Sequence, residues 1–322
     1  MRSSFLLLFL FLAKLVSAQK VINYYFEENF NEFTNQTLSL DTVNERGYFQ
    51  KEVVKKFGKK PRDVYVFPQS SGLFFNNPAL DDFITGSFAL EMYFRYDNGN
   101  LLIYNQLLGE GLDANQSKYV HLVVTRDDRT KRVLVYLQGE KSIEFFDSTD
   151  KLAMDNESQI TFFVQEGVPT TSGAVAMVKI YNYFIDEAMG EELFESFSDK
   201  NSDSALEIIK GEAATLNRLF FLKTLAKLLP ESNPELERLS DYMLENMDAK
   251  IEIQGHTDNQ GDYDLNIKLS RERAQTIKTF LVDQGISGKR IKIKGFGGTQ
   301  PIASNYTEDT RRLNRRVEVI LL

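Results

Sequence analysis

The hydrophobic period changes once, sharply, between Lys250 and Gln284. Ile251 and Ile253 alternate with polar residues, and a polar stretch follows, Gly255-His256-Thr257-Asp258-Asn259-Gln260-Gly261. Leu265, Leu269, Ile277, Phe280 and Leu281 then recur at helical spacing. A strand that feeds a long amphipathic helix through a short polar turn has few ways to fold. The helix must lie back over the sheet to bury its stripe. That leaves the polar turn at the end of the strand, together with the first turns of the helix. The spacing predicts a helix over about 262–284, with Leu265 through Leu281 as its buried stripe. Asn266 and Arg273 are seven residues apart and share a face, with Ser270 between them.

The neighbouring segments complete a small unit. Leu219–Leu222 reads as a first strand. Asn233 and Pro234 suit the start of a helix, in which Leu236, Leu239, Tyr242 and Met243 share one side. Ile291, Ile293 and Gly295 mark another strand, and Gly285 and Gly288 turn the chain before it. Thr307-Glu308-Asp309 has helix-capping character, and Val317, Val319 and Leu321 alternate in a last strand. The expected fold of residues 215–322 is a small α+β sandwich, with helices packed on a mixed sheet.

Residues 20–190 read as all-β. Val21–Phe26 is a first strand, and Phe88, Leu90, Met92 and Phe94 share one face of another. Tyr119–Thr125 and Arg132–Gln138 form a hairpin around Asp127–Lys131. Ile160–Val164 and Ala174–Tyr183 are further strands, and Asp186–Phe197 suits a short helix. The segments 45–65 and 141–159 read as long polar connections. Most of these strands are shorter than the 9–11 or so residues of a membrane-spanning strand, so a sandwich is expected rather than an outer-membrane barrel.

With 322 residues the chain is long enough for two cores. Residues 1–18 carry Arg2, an apolar run from Phe5 to Val16 and a small-residue cleavage pattern at Val16-Ser17-Ala18, and read as a secretory signal peptide. Residues 19–197 are the β region, 198–214 a polar linker and 215–322 the α+β unit. The formal net charge of -8 speaks against a general nucleic-acid binder. The chain has no cysteine and only two histidines, which excludes disulfides, thiol redox chemistry and cysteine- or histidine-rich metal sites. No cofactor and no metal is expected. His121, within an apolar strand, reads as a core histidine, and Asp127 and Asp128 as turn residues. Glycoside hydrolysis needs two convergent carboxylates. Glu91 and Glu140 are candidates whose separation the sequence leaves open. His256 has no nucleophile with an oriented partner, so no catalytic residue is assigned.

Gly255-His256-Thr257-Asp258, Leu269-Ser270, Arg273-Ala274, Pro301-Ile302-Ala303-Ser304-Asn305 and Asn314-Arg315-Arg316-Val317 stand in an order and spacing that resembles the OmpA-like, peptidoglycan-associating domains of bacterial envelope proteins. The resemblance covers about residues 215–322. It implies non-covalent binding to the peptide stem of peptidoglycan, typically at its diaminopimelate residue. Asp258 would then accept hydrogen bonds from the ligand's ammonium and Arg273 would clamp its carboxylate, while Thr257, Asn266, Leu269 and Arg315 shape the pocket. It also implies a periplasmic protein associated with the outer membrane and the cell wall. Residues 20–195 resemble laminin-G-like, concanavalin-like jelly rolls in Phe88–Arg95, Tyr119–Arg126 and Val133–Glu140. That implies a glycan or an envelope protein as a second partner.

The chemistry of the residues agrees with the first resemblance. A small zwitterion needs one fixed negative and one fixed positive group, and a guanidinium offers a carboxylate a planar fork that an ammonium does not. Two alternatives stay open. Asp258 and Arg273 could bind each other instead of a ligand, or the chain could be a carbohydrate-binding or carbohydrate-active protein that its wall-binding unit merely localises.

Overall fold

The computed structural model describes residues 21–26, 28–33, 39–76, 83–84, 86–97, 119–154, 159–164, 167, 169–187, 189–190, 193, 208–221 and 225–322. The segment expected to be a signal peptide, most of the expected polar linker and Leu222 lie outside the described residues, as does much of the helix expected over Asp186–Phe197.

Eleven strands occupy the described N-terminal region: β1 (Val21–Tyr24), β2 (Asp41–Val43), β3 (Tyr48–Glu52), β4 (Arg62–Phe67), β5 (Gly72–Asn76), β6 (Phe88–Tyr96), β7 (Val120–Arg126), β8 (Arg132–Leu137), β9 (Glu140–Phe146), β10 (Gln159–Phe162) and β11 (Gly173–Tyr181). Eight of them form one open antiparallel sheet in the order β3-β4-β11-β6-β7-β8-β9, with β1 also paired to β11. The sheet β10-β5-β2 faces it. Alternation along β6 shows how the layers are built. Phe88, Met92 and Phe94 join Leu73 and Phe75 of β5 and Ile160 and Phe162 of β10 in an aromatic core between the sheets. Ala89, Glu91 and Tyr93 point the other way.

The segments 45–65 and 141–159, expected to be polar connections, contain the strands β3 and β9. Every residue of β9 is exposed, because it is an edge strand without a covering layer, so it carries no burial pattern for sequence reasoning to find. The hairpin at 127–131 forms as expected, with Asp127 N–H donating to the Arg132 carbonyl.

The C-terminal region has the sheet order β12-β15-β13-β14, with β12 (Ala213–Thr215), β13 (Ile251–His256), β14 (Ile291–Gly297) and β15 (Val317–Leu321). Only β13 and β14 are parallel. The helices are α1 (Asn233–Glu245), α2 (Tyr263–Asp283) and α3 (Glu308–Asn314). This is the mixed sheet with helices that the sequence predicts, with one strand misplaced. The first strand is Ala213–Thr215, not Leu219–Leu222, and Phe221 makes only an isolated bridge to Leu228. Residues 208–214, assigned to the linker by composition, touch this sheet. Ile208 is buried in its core and Lys210 bridges Leu321.

The stripe of α2 is also shifted. Ser270, Ala274, Ile277 and Leu281 are buried, Phe280 is half-buried and Leu265 is exposed. The reason lies in Gly255 and Gly295. A Cβ on Gly255 would stand 2.1 Å from the Ser270 carbonyl oxygen, and one on Gly295 2.4 Å from the Arg271 amide nitrogen. The helix touches the sheet there backbone to backbone, so a small residue, Ser270, faces inward at the closest approach.

The two regions meet on the outer face of the eight-stranded sheet. Lys179 of β11 reaches across to Glu231, in the helical turn Pro230–Ser232, at 2.6 Å, and lies 3.8 Å from Glu91 of β6. Tyr25 donates its hydroxyl to both Glu231 oxygens at 2.7 and 2.8 Å. His121 and Tyr181 hydrogen-bond Glu91 from the same face. Burial pushes the Glu91 carboxyl up, but Lys179, His121 and Tyr181 outweigh it and hold it down at about 2. Further out, Lys59 pairs with Asp241, Asn233 donates to the Phe57 carbonyl, and Lys227 donates to the Phe33 carbonyl while lying over its ring.

Candidate functional site

The polar turn after β13 is held from three sides. Thr257 N–H donates to the Gly297 carbonyl of β14, which fixes the turn to the neighbouring strand. Its hydroxyl donates to the Asp258 carbonyl at 2.8 Å, and the residue is buried. Thr257 therefore ties down the backbone of the turn. Asn266, in the first turns of α2, donates to the Gln260 carbonyl at 2.8 Å and closes the turn against the helix. Asp262 caps α2 by accepting from the Leu265 amide at 2.9 Å.

Asp258 sits at the centre. Its Oδ1 accepts from the Gln260 amide at 3.0 Å and its Oδ2 from Arg315 at 2.7 Å. The other arm of Arg315 donates to Glu308 at 2.5 Å, and Arg311 also donates to Glu308, at 2.9 Å. Burial works against the Arg315 charge, but the two carboxylates outweigh it and raise its pKa. Thr307 caps α3 reciprocally with Thr310, which fixes Glu308 at the helix start. Asn314, fully buried, accepts from the amides of Ile302 and Ala303 and donates to the Ala303 carbonyl and the Asn305 side chain. Asn305 in turn accepts from the Asn259 amide at 3.3 Å, tying the 301–306 loop to the residue after Asp258.

Arg273 projects from α2 toward the same place. It does not pair with Asp258, so the alternative in which those two residues satisfy each other is not what forms. Asp258 takes Arg315 instead. Arg273 donates to the Leu225 carbonyl at 3.3 Å and lies over the Phe221 ring at 5.0 Å. Among the described residues no carboxylate forms an ion pair with it. Burial lowers its pKa to about 10, the nearby Arg315 charge adds to the drop, and Asp258 opposes it. The three charged groups thus sense one another electrostatically. Leu269 is half-buried in the helix one turn before Arg273.

Of the six residues singled out in the sequence, Asp258, Arg273 and Arg315 provide the charges, Thr257 and Asn266 build the turn, and Leu269 lies partly open beside them. Glu308 and Asn314 are the participants the residue-by-residue reading passed over. Both stand in stretches already singled out, Thr307-Glu308-Asp309 and Asn314-Arg315-Arg316-Val317, and capping character alone does not reveal that Glu308 also grips Arg315. Arg316 is nearly buried and pairs with Glu318 at 2.6 Å, a structural role as expected. His256 is buried, stacked on Phe296 and 3.6 Å from Glu318.

In the N-terminal region His121 is a fully buried partner of Glu91 at 2.9 Å, as a core histidine should be. Asp127 accepts from Thr130 within its turn and from Ser87, just before β6. Asp128 does more than sit in solvent, since it joins Asp147 and Asp150 around the buried Arg126. Glu140 pairs through Leu137 and Leu122 to Met92, three strands from the row next to Glu91. At ~4.8 Å per strand that is about 14 Å, beyond glycosidase carboxylate spacings of roughly 5–9.5 Å.

The OmpA family model matches residues 220–315. Peptidoglycan-binding protein ArfA of Mycobacterium bovis is 41% identical over 96 residues, which is 30% of this chain and 29% of that protein. The outer-membrane lipoprotein YfiB of Pseudomonas aeruginosa is 33% identical over 105 residues, 33% of this chain and 62% of that protein. This chain therefore spans less than two thirds of the length of either relative. Among solved structures, the cell wall anchor of the T6SS from Pseudomonas aeruginosa matches 33% of this chain and 76% of that one, at 30% identity and a TM-score of 0.29. Residues 220–315 of this chain are an OmpA family domain.

Proposed function

We propose that this chain is a non-enzymatic protein of the bacterial envelope, and that its C-terminal domain holds peptidoglycan non-covalently by the diaminopimelate residue of the stem peptide. The observation that carries the proposal is the unequal state of the two guanidiniums. Arg315 is already occupied by Asp258 and Glu308, whereas Arg273 is half-buried and meets a carbonyl and a ring but no carboxylate among the described residues. A half-buried cation without a carboxylate is disfavoured, and a ligand carboxylate bound bidentately relieves that cost. Asp258, with Glu308 close by, then receives the ligand's ammonium. Leu269 and Arg315 complete the walls, and Thr257 and Asn266 hold the turn. No cofactor or metal enters this scheme.

For residues 19–197 the reading is a laminin-G-like, concanavalin-like jelly roll, supported by two facing antiparallel sheets around one aromatic core. It would carry a second partner, a glycan or another envelope protein. The place of action is the periplasm, at the outer membrane and cell wall. No described helix is long and apolar enough to cross a membrane.

The test is calorimetric titration of the full chain with a diaminopimelate-containing tripeptide. Wild type is expected to bind and Arg273→Ala to lose at least tenfold in affinity, as for a charge-assisted pair worth about 1.5–3 kcal/mol. Equal affinity in a folded Arg273→Ala protein would refute the assignment.

A further inference from the structure

The charged cleft has an uncovered apolar rim. Tyr306 is 93% exposed and Ile302 62%, on the loop that Asn314 and Asn305 hold. Tyr263 is 64% exposed and Leu265 65%, in the first turn of α2. These two groups flank the Asp258 turn. Asn305 binds the Asn259 amide on one side, and Asn266 binds the Gln260 carbonyl on the other. The Tyr306 loop is tied to α3, because Arg311 donates to the carbonyls of both Asn305 and Tyr306 while it grips Glu308. Large exposed apolar side chains grouped around a charged site mark a contact surface.

We propose that this rim is a second subsite, which binds the N-acetylhexosamine strand to which the stem peptide is attached, with Tyr306 and Tyr263 lying against sugar faces. The inference rests on the peptidoglycan reading of the adjoining cleft. Three features select a sugar as the occupant. The rim flanks the turn that carries Asp258, so a sugar covalently attached to a peptide held there must pass near it. Tyrosine offers a flat, rigid, amphipathic surface that loses little entropy on binding. The side chains between the two tyrosines, Asn259 and Gln260, are exposed amides, which match hydroxyl and acetamido groups. Asp262, Asp264 and Glu308 nearby would repel an anionic lipid surface.

The experiment titrates the full chain with two probes, a diaminopimelate-containing stem peptide and the same peptide carried on an N-acetylhexosamine disaccharide. Wild type is expected to prefer the sugar-bearing probe by about five- to tenfold, the scale of one or two aromatic contacts. Tyr306→Ala/Tyr263→Ala should bring the ratio close to one and leave affinity for the bare peptide unchanged, while Tyr306→Phe retains the preference. A ratio of one in wild type, or equal weakening of both probes in the double variant, overturns the subsite. A wild-type dimer in sedimentation equilibrium that Tyr306→Ala dissolves would assign the rim to self-association, and would overturn it too. If the bare peptide does not bind wild type at all, the cleft reading falls first and the subsite falls with it.

Discussion

Replacing Lys179 with Met keeps an unbranched apolar stem and removes the charge at the centre of the junction. In the wild type this ammonium lies 2.6 Å from Glu231 and 3.8 Å from Glu91, and all three side chains are almost wholly buried. Burial disfavours the Lys179 charge, yet Glu231 and Glu91 raise its pKa above the ordinary value, so it stays protonated. Without it two carboxylates remain in a low-dielectric space. Removing one member of a buried pair costs about 3–5 kcal/mol. Tyr25 still donates to Glu231, and His121 and Tyr181 to Glu91, so the lower end, about 3 kcal/mol, is expected. Urea unfolding followed by circular dichroism measures it. A double-mutant cycle with Glu231→Leu separates the bridge between the two regions from general loss of packing, with an expected coupling of about 2 kcal/mol. A loss below about 1 kcal/mol, or a coupling near zero, would show that the bridge does not hold the two regions together.

Two further outcomes follow from the same physics. The Glu91 carboxyl ionises at about 2 in the fold against an ordinary 4.5, so the unfolded chain binds the extra proton between those values. Its contribution to stability is complete above pH 4.5 and is lost as the pH falls toward 2. Glu91→Gln should flatten the dependence of unfolding free energy on pH in that window, and an unchanged slope would contradict the assignment. Gly255→Ala would drive a methyl group into the Ser270 carbonyl and prise α2 from β13, at a cost of about 3 kcal/mol or more in a thermal or urea melt. A variant as stable as wild type would mean that the close approach is not required.

The C-terminal half was the more legible because its signals are local. The change of period at Gly255, the proline at the start of α1 and the alternation in β15 are each written in a few adjacent residues. The exceptions are instructive. Leu265 fits the helical stripe by spacing, but the sheet meets α2 further along, at Ser270, where two glycines let the backbones touch. Ala213–Thr215 is too short and too poor in β-forming residues to announce itself as a strand, and only its pairing with β15 makes it one. At the site, residue types and order identify which groups are charged but not which of them pair. Arg315 and Arg273 are both within reach of Asp258 electrostatically, and it is the capping of α3, which sets Glu308, that commits Arg315 and leaves Arg273 for another carboxylate. In the N-terminal half, β9 carries no burial pattern. The Lys179–Glu231 bridge joins residues 52 apart in sequence, and Tyr25 binds Glu231 across 206. No local pattern foretells either contact.

The central claim is that Asp258 and Arg273 hold the wall. The most direct measurement is co-sedimentation of the full chain with insoluble diaminopimelate-type peptidoglycan, beside the Asp258→Ala/Arg273→Ala double variant, with circular dichroism confirming that both are folded. Wild type is expected in the pellet and the double variant in the supernatant. A folded variant that still pellets, or a folded wild type that never does, would contradict the claim.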